Sequence, residues 1–449
     1  MNSIWTNDRP RIAAHDKQLP KKTEVVIIGG GMAGLLCSYL LEEAGVSNVV
    51  LESTEICFGQ TEKTTAKITS QHGLIYSEIS KIFDEKTAIQ YGRINQRAID
   101  EYERIIGRKG IDCKFERLPS YLYTETQTGA YLLEKEYLAA KRIGIKALLT
   151  DKTNLPFPVK GALKYENQAQ FHPLKFLMGI TGELQIYEHT PVLRVQGHRV
   201  ITNRGEIQAD NMIIATHFPF MNIPGYYFAR MHQERSYVLA ISTSEKEGQK
   251  RADLDGMYYG IDSQGLSFRN VDQAILIGGF SHRTGAIRKE NPYDALRKRA
   301  GELWPGYKEI AAWAAQDCMT LDHLPYAGQF SRKTPDWYVA TGFGKWGMTG
   351  SMVAALAIRD QILGEPHPEW DVLSPQRKWT MEAMKSLCKE SGHTTKELLS
   401  FKRPRCPHLG CRLVWNSYER SWDCPCHGSR FQENGQLIDN PAQTGIKMK

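Results

Sequence analysis

Two short strings near the C-terminal end of the chain place cysteine beside histidine: Cys406-Pro-His408 and, after a gap of 15 residues, Cys424-Pro-Cys426-His427. Thiolates and neutral imidazoles are metal-seeking donors, and each string offers one of each at its ends. Four of the nine cysteines, Cys406, Cys411, Cys424 and Cys426, fall within 21 positions, whereas Cys37, Cys57, Cys113, Cys318 and Cys388 are scattered. Such clustering points to a metal site. A structural zinc site is one reading, but zinc loops usually separate their first two ligands by two or more residues. Here a single residue stands between Cys406 and His408.

A second constellation lies near the other end. Glu24-Val-Val-Ile-Ile28 is a β-branched apolar run that reads as a buried strand. Gly29, Gly31 and Gly34 follow in G-x-G-x-x-G spacing, and Leu35 to Ala44 reads as a helix stopped by Gly45. Asn48 to Leu51 is a second strand, with Glu52 at its end. Gly29 permits a tight turn, Gly31 admits a pyrophosphate close to the backbone, and Gly34 lets the helix pack on the strand. The helix start at Met32 and Ala33 offers N–H groups and a positive dipole end to phosphates. Glu52, with Ser53 beside it, can accept hydrogen bonds from ribose hydroxyls. This unit alone leaves FAD and NAD both open.

Over roughly residues 20–365 the sequence resembles the D-amino-acid oxidase/glycine oxidase superfamily, in which the FAD domain is discontinuous and the chain returns to it twice. The first return matches Ile186 to Leu193, Val200 to Thr202 and Gly205 to Thr216, with Val192 where the family's backbone meets adenine. The second is Trp337 to Gly342, then Phe343 to Gly350 and the helix from Ser351 to Leu363. The resemblance implies that Gly342, Lys345, Trp346, Gly347, Met348 and Thr349 close over the flavin ring. A helix N-terminus there would stabilise negative charge on the reduced ring. Between Gly59 and Gly73, Thr64, Thr65 and Lys67 resemble a subgroup that also bears an iron–sulfur module, and they are expected at FAD phosphates or ring carbonyls. In the second half, Arg269 is a candidate clamp for a substrate carboxylate, with an interdomain ion pair as the alternative. His172 reads as a helix-start residue before Pro173. No general base stands out, which hydride transfer from a neutral amine does not require.

The C-terminal strings resemble Rieske [2Fe–2S] proteins of the respiratory type, Cys406 to Cys411 matching the first cluster loop and Cys424 to Ser429 the second. The resemblance implies that Cys406 and Cys424 hold one iron and His408 and His427 the other. Imidazole ligation raises the potential to about −150 to +300 mV. It further implies a Cys411–Cys426 disulfide tying the loops, less secure in a reducing compartment, and a Ser429 hydroxyl aimed at a bridging sulfide. Strands that should precede the first loop have no room between Gly392 and Arg405, so the module reads as truncated. It is expected to lean on the flavin domain for its core.

The expected class is α/β (α+β): a Rossmann-like FAD domain, a discontinuous β-sheet substrate domain and a small all-β module. Residues 1–22 read as an arm and 23–365 as the oxidoreductase. Its FAD half takes 23–74, 183–225 and 301–365, and its substrate half 75–182 and 226–300. A helical linker spans 366–400 and the cluster module 401–449. A net charge of +7 without a dense basic stripe argues against nucleic acid, and no apolar run of spanning length occurs. Scattered cysteines without an export signal place the chain in the cytoplasm. The function expected is a dehydrogenase that oxidises a small amine or amino acid and passes electrons from FAD to the cluster and on to an external acceptor. An O2-using oxidase with a structural cluster, and a redox carrier or sensor without turnover, remain open.

Overall fold

The computed structural model describes residues 2–8, 18–243, 254–263, 265–398 and 404–447. The apolar strand Lys22–Ile28 sits at the centre of the first sheet, buried on both faces. It pairs in parallel with Asn48–Leu51 on one side and Gly205–Ile214 on the other. Outside these lie Ile186–Tyr187 and Thr334–Thr341, also parallel, and Tyr326–Ser331 closes the edge antiparallel. Sequence order within the sheet therefore jumps, and the cofactor half is assembled from separated segments as the resemblance implied. Two buried helices, Met32–Glu43 and Gly347–Ile362, cover one face of it.

The second sheet has nine strands, the longest being Met231–Ser242 and Lys308–Thr320, paired antiparallel over most of their length. This corrects the expected boundary at residue 301: the chain stays with the substrate sheet through Thr320. Buried and half-buried residues alternate along the second half of that strand, as on a strand with one face on the core. Lys67–Ile68, assigned to the cofactor half, is likewise the far edge strand of this second sheet. The arm is also anchored. Trp5 is buried, and its indole N–H donates to the Thr64 carbonyl at 2.8 Å.

The linker, expected to be helical, holds a short 3-10 turn, Pro368–Leu373, and one helix, Met381–Leu398. A lone glycine such as Gly392 costs a helix only about 1 kcal/mol and does not break it. Four three-residue strands, Val414–Asn416, Ser421–Asp423, Arg430–Gln432 and Leu437–Asp439, form an antiparallel meander. Their core is small: the four clustered cysteines, Leu413, Phe431 and Ala442. Among the described residues no helix is long and apolar enough to cross a membrane.

Candidate active site and cluster site

At the end of the first strand Gly29 adopts φ +113°, and a Cβ there would lie 2.5 Å from the Ala215 carbonyl oxygen. Gly31 precedes the helix in extended conformation; the Met32 N–H donates to the Thr61 hydroxyl at 2.9 Å, and Gly31, Met32 and Ala33 line a cavity of about 620 Å³. Gly34 faces the other way. A Cβ on it would meet the Gly29 carbonyl oxygen at 1.9 Å, so it serves close helix–strand packing and does not line the cavity. The Glu52 carboxylate accepts from the Gly30 and Thr54 N–H groups at 2.8 Å, and from the Ser53 hydroxyl at 3.0 Å. It is thereby fixed at the rim beside Val192.

The same cavity runs from Gly29, Gly31, Met32, Ala33, Glu52, Ser53 and Val192 past Thr64, Thr65 and Lys67 to Gly342, Lys345, Trp346, Gly347 and Met348. One elongated space thus joins the helix start after Gly31 to the loop from Gly342 to Met348, leaving room for an extended dinucleotide such as FAD. Lys67 donates to the Tyr258 carbonyl at 2.8 Å, and burial, with the nearby Arg269 charge, pushes its pKa down to about 7. The Trp346 ring stacks on His72 at 4.7 Å. Thr349 is turned away from the cavity: its hydroxyl donates to the Thr69 carbonyl and accepts from the Thr69 N–H, tying the closing helix down.

Arg269 is not a carboxylate clamp. Its guanidinium donates to the carbonyls of Thr65, Ala66 and Asn270 inside the core, and it does not reach the cavity wall. A buried cation that has found backbone acceptors stays there. His172 caps the helix Pro173–Thr181, accepting from the Lys175 N–H, as its place before Pro173 implied.

Residues that sequence reasoning missed supply the polar wall opposite. Ser236, Tyr259, Ser281, Gln316 and Asp317 point from the second sheet into the cavity. The Ser236 hydroxyl donates to Asp317 at 3.0 Å and lies 3.0 Å from that of Ser281. Burial raises the Asp317 pKa to about 6, against the pull of Lys345. The Lys345 ammonium is 3.4 Å from Glu234, whose pKa falls to about 2 through its hydrogen bond with His232 and the lysine charge. Only strand alternation around Ala315-Gln-Asp-Cys318 could have signalled this wall, and it could not say what the strand faces.

In the module, the Cys406 and Cys424 thiols are buried and hydrogen-bonded to each other. The Cys406 pKa drops to about 7 through that bond, with backbone N–H groups of His408 and Leu409 and the Ser429 hydroxyl adding to it. Cys411 and Cys426 are joined as a disulfide, which removes them as ligands although their sulfurs crowd Cys424. The His408 and His427 rings lie 5.0 Å apart, and the Nδ1 atoms of both are buried without a hydrogen-bond partner. Two orphaned imidazole nitrogens beside two buried thiols are the donor set of a [2Fe–2S] cluster with mixed ligation.

The module sits on the flavin body through its backbone. Gln233 donates to the His427 carbonyl at 2.7 Å and to that of Asn440 at 3.0 Å, and Gln316 donates to the Gly428 carbonyl at 2.7 Å. Arg283 donates to the carbonyls of Pro425 and Cys426. Gln432, Leu437, Ile438, Asp439, Asn440 and Ala442 of the module complete the wall of the same cavity.

Comparison with known proteins agrees with both halves. The FAD dependent oxidoreductase family model matches residues 24–361, and the Rieske [2Fe-2S] domain model matches 381–448. The Rieske 2Fe-2S iron-sulfur protein YhfW of Bacillus subtilis is 33% identical over 94% of this chain and 92% of its own. Gamma-glutamylputrescine oxidoreductase of Escherichia coli is 23% identical over 76% of this chain and 84% of its own. The solved L-amino acid deaminase from Proteus vulgaris superimposes with a TM-score of 0.65 at 18% identity, over 82% of this chain and 97% of that one. An elongated dinucleotide cavity and a mixed thiol–imidazole pocket on one chain therefore have a single explanation: this protein belongs to the FAD dependent oxidoreductase family and carries a C-terminal Rieske [2Fe–2S] domain.

Proposed function

We propose that the protein is a dehydrogenase that oxidises a small amine or amino acid and delivers the electrons from FAD to its own cluster, for release to an external acceptor. FAD, when bound, supplies two-electron acceptance and one-electron release; the cluster takes one electron at a time. The observation that carries the reading is the shared wall. Gln316 lines the flavin cavity and holds the backbone beside the cluster ligand His427, so one layer of side chains separates the two sites.

The chain's residues have assignable tasks at the substrate end. Asp317, held by Ser236, is placed to accept from a substrate ammonium. Lys345, oriented by Glu234, is placed to hold a carboxylate. Trp346, braced by His72, closes the cavity against water. The substrate class also rests on the relatives, whose names specify gamma-glutamylputrescine and L-amino acids.

Anaerobic addition of candidate amines and amino acids, followed by EPR, tests the proposal. Bleaching of the flavin together with a reduced-cluster signal is expected. A cluster that stays oxidised while the flavin is fully reduced would refute the coupled reaction. In Cys406→Ser the flavin should still be reduced by substrate, and peroxide in air should rise if the cluster is the normal exit. Equal peroxide from both proteins would favour an oxidase with a structural cluster.

A further inference from the structure

We propose that the loop from Asn222 to Phe228, part of the flavin body and not of the module, is the outer coordination shell of the cluster and sets its reduction potential.

An imidazole bound to iron through Nδ1 must carry its proton on Nε2, and that proton needs an acceptor when it is buried. For His408 that acceptor comes from this loop. The His408 Nε2 lies 2.7 Å from Asn222 Oδ1. The Phe228 backbone lies near the His427 ring, whose Nδ1, like that of His408, has no hydrogen-bond partner. Rings of this segment pack there too: Phe228 of the loop stands edge-on to both histidines, at 6.4 and 6.0 Å, and Phe218, just before the loop, to His427 at 6.3 Å. The same segment begins at Thr216 and His217 on the cavity wall, and Asn440 of the module pins it by donating to the Phe218 carbonyl at 2.8 Å.

The consequence is chemical. A carbonyl accepting from Nε2–H gives the imidazole more imidazolate character and makes Nδ1 a stronger donor, which favours the oxidised iron. Through Asn222 the flavin body thus holds the cluster potential below the value it would have with His408 unbonded. Asn222 is a positioning residue, acting through His408.

The inference rests on the cluster assignment but not on the substrate. Dye-mediated redox titration of the full-length holoprotein, followed by EPR, therefore tests it without turnover. Asn222→Leu, which removes the acceptor, should raise the midpoint potential, and Asn222→Asp, a stronger acceptor, should lower it below the wild type. Iron content should be unchanged in both. Displacements in opposite directions are a result that a general folding defect does not produce. Potentials indistinguishable from the wild type in both variants, or displaced the same way, would overturn the proposal. Were the variants to shift as stated while substrate failed to reduce the wild-type cluster, the coupled reaction would fall and this inference would stand.

Discussion

Asp317 is a carboxylate whose charge depends on pH within the working range, because burial in the cavity wall raises its pKa to about 6. Above that value it is ionised and attracts an ammonium; below it the attraction is lost. For an amine substrate KM should therefore rise as pH falls through about 6, and in Asp317→Asn it should be high and flat across that interval. Steady-state kinetics from pH 5 to pH 8 check this, with roughly a ten- to hundredfold increase in KM expected for the variant from loss of one charge-assisted hydrogen bond of about 1.5–3 kcal/mol. The contrast with Arg269 is instructive. A guanidinium in the middle of a strand could not be told apart from a ligand clamp by type alone, and its partners proved to be backbone carbonyls brought in from residues 65 and 66.

Gly34 shows what a packed element contributes. Its missing side chain lets the helix Met32–Glu43 lie against the turn at Gly29, with no space even for a methyl group. Gly34→Ala should therefore cost about 3 kcal/mol and lose FAD on gel filtration, read as flavin absorbance per chain. Gly107→Ala, in the exposed part of the helix Glu85–Lys109 with nothing near the added carbon, should instead stabilise by about 1 kcal/mol. Another element is held by Glu136, which reaches from the helix Gln127–Arg142 to accept from the N–H groups of Tyr76 and Ser77 in the first turn of the helix Ile75–Ile82. Burial raises its pKa from 4.5 to about 7. The folded protein therefore binds a proton that the unfolded chain releases, and stability falls as pH rises from about 4.5 to 7, by about 3 kcal/mol. The dependence of Tm on pH in that interval should flatten in Glu136→Gln.

At the scale of the molecule, the module's attachment rests on a buried charge network. Arg235 of the second sheet pairs with Glu419, and Arg430 is shared among Glu419, Asp423 and Asp439. Arg235 and Glu419 are only 2% and 10% exposed, so removing Arg235 leaves the buried carboxylates of Glu419, Asp423 and Asp439 to the single charge of Arg430. Arg235→Ala should weaken docking by about 3–5 kcal/mol. Limited proteolysis in the linker should then release the C-terminal fragment faster, with loss of the cluster's visible absorbance. The arrangement follows from size: a meander whose core is a handful of residues cannot bury enough surface alone and borrows its support.

Local chemistry was legible in the residues themselves. The strand, glycines, helix and acid from Glu24 to Glu52, and the paired Cys–His strings, each carry their meaning within a few positions, because phosphate binding and metal ligation demand fixed short spacings. What faces what was not legible. Asp317, Lys345 and Ser236 meet in one wall, Lys308–Thr320 joins the second sheet, and Asn222 reaches His408 across 186 positions of chain, only because sheets and loops pack in three dimensions. Long-range pairing is chosen by shape and burial summed over the whole core, and no short stretch of sequence carries that sum.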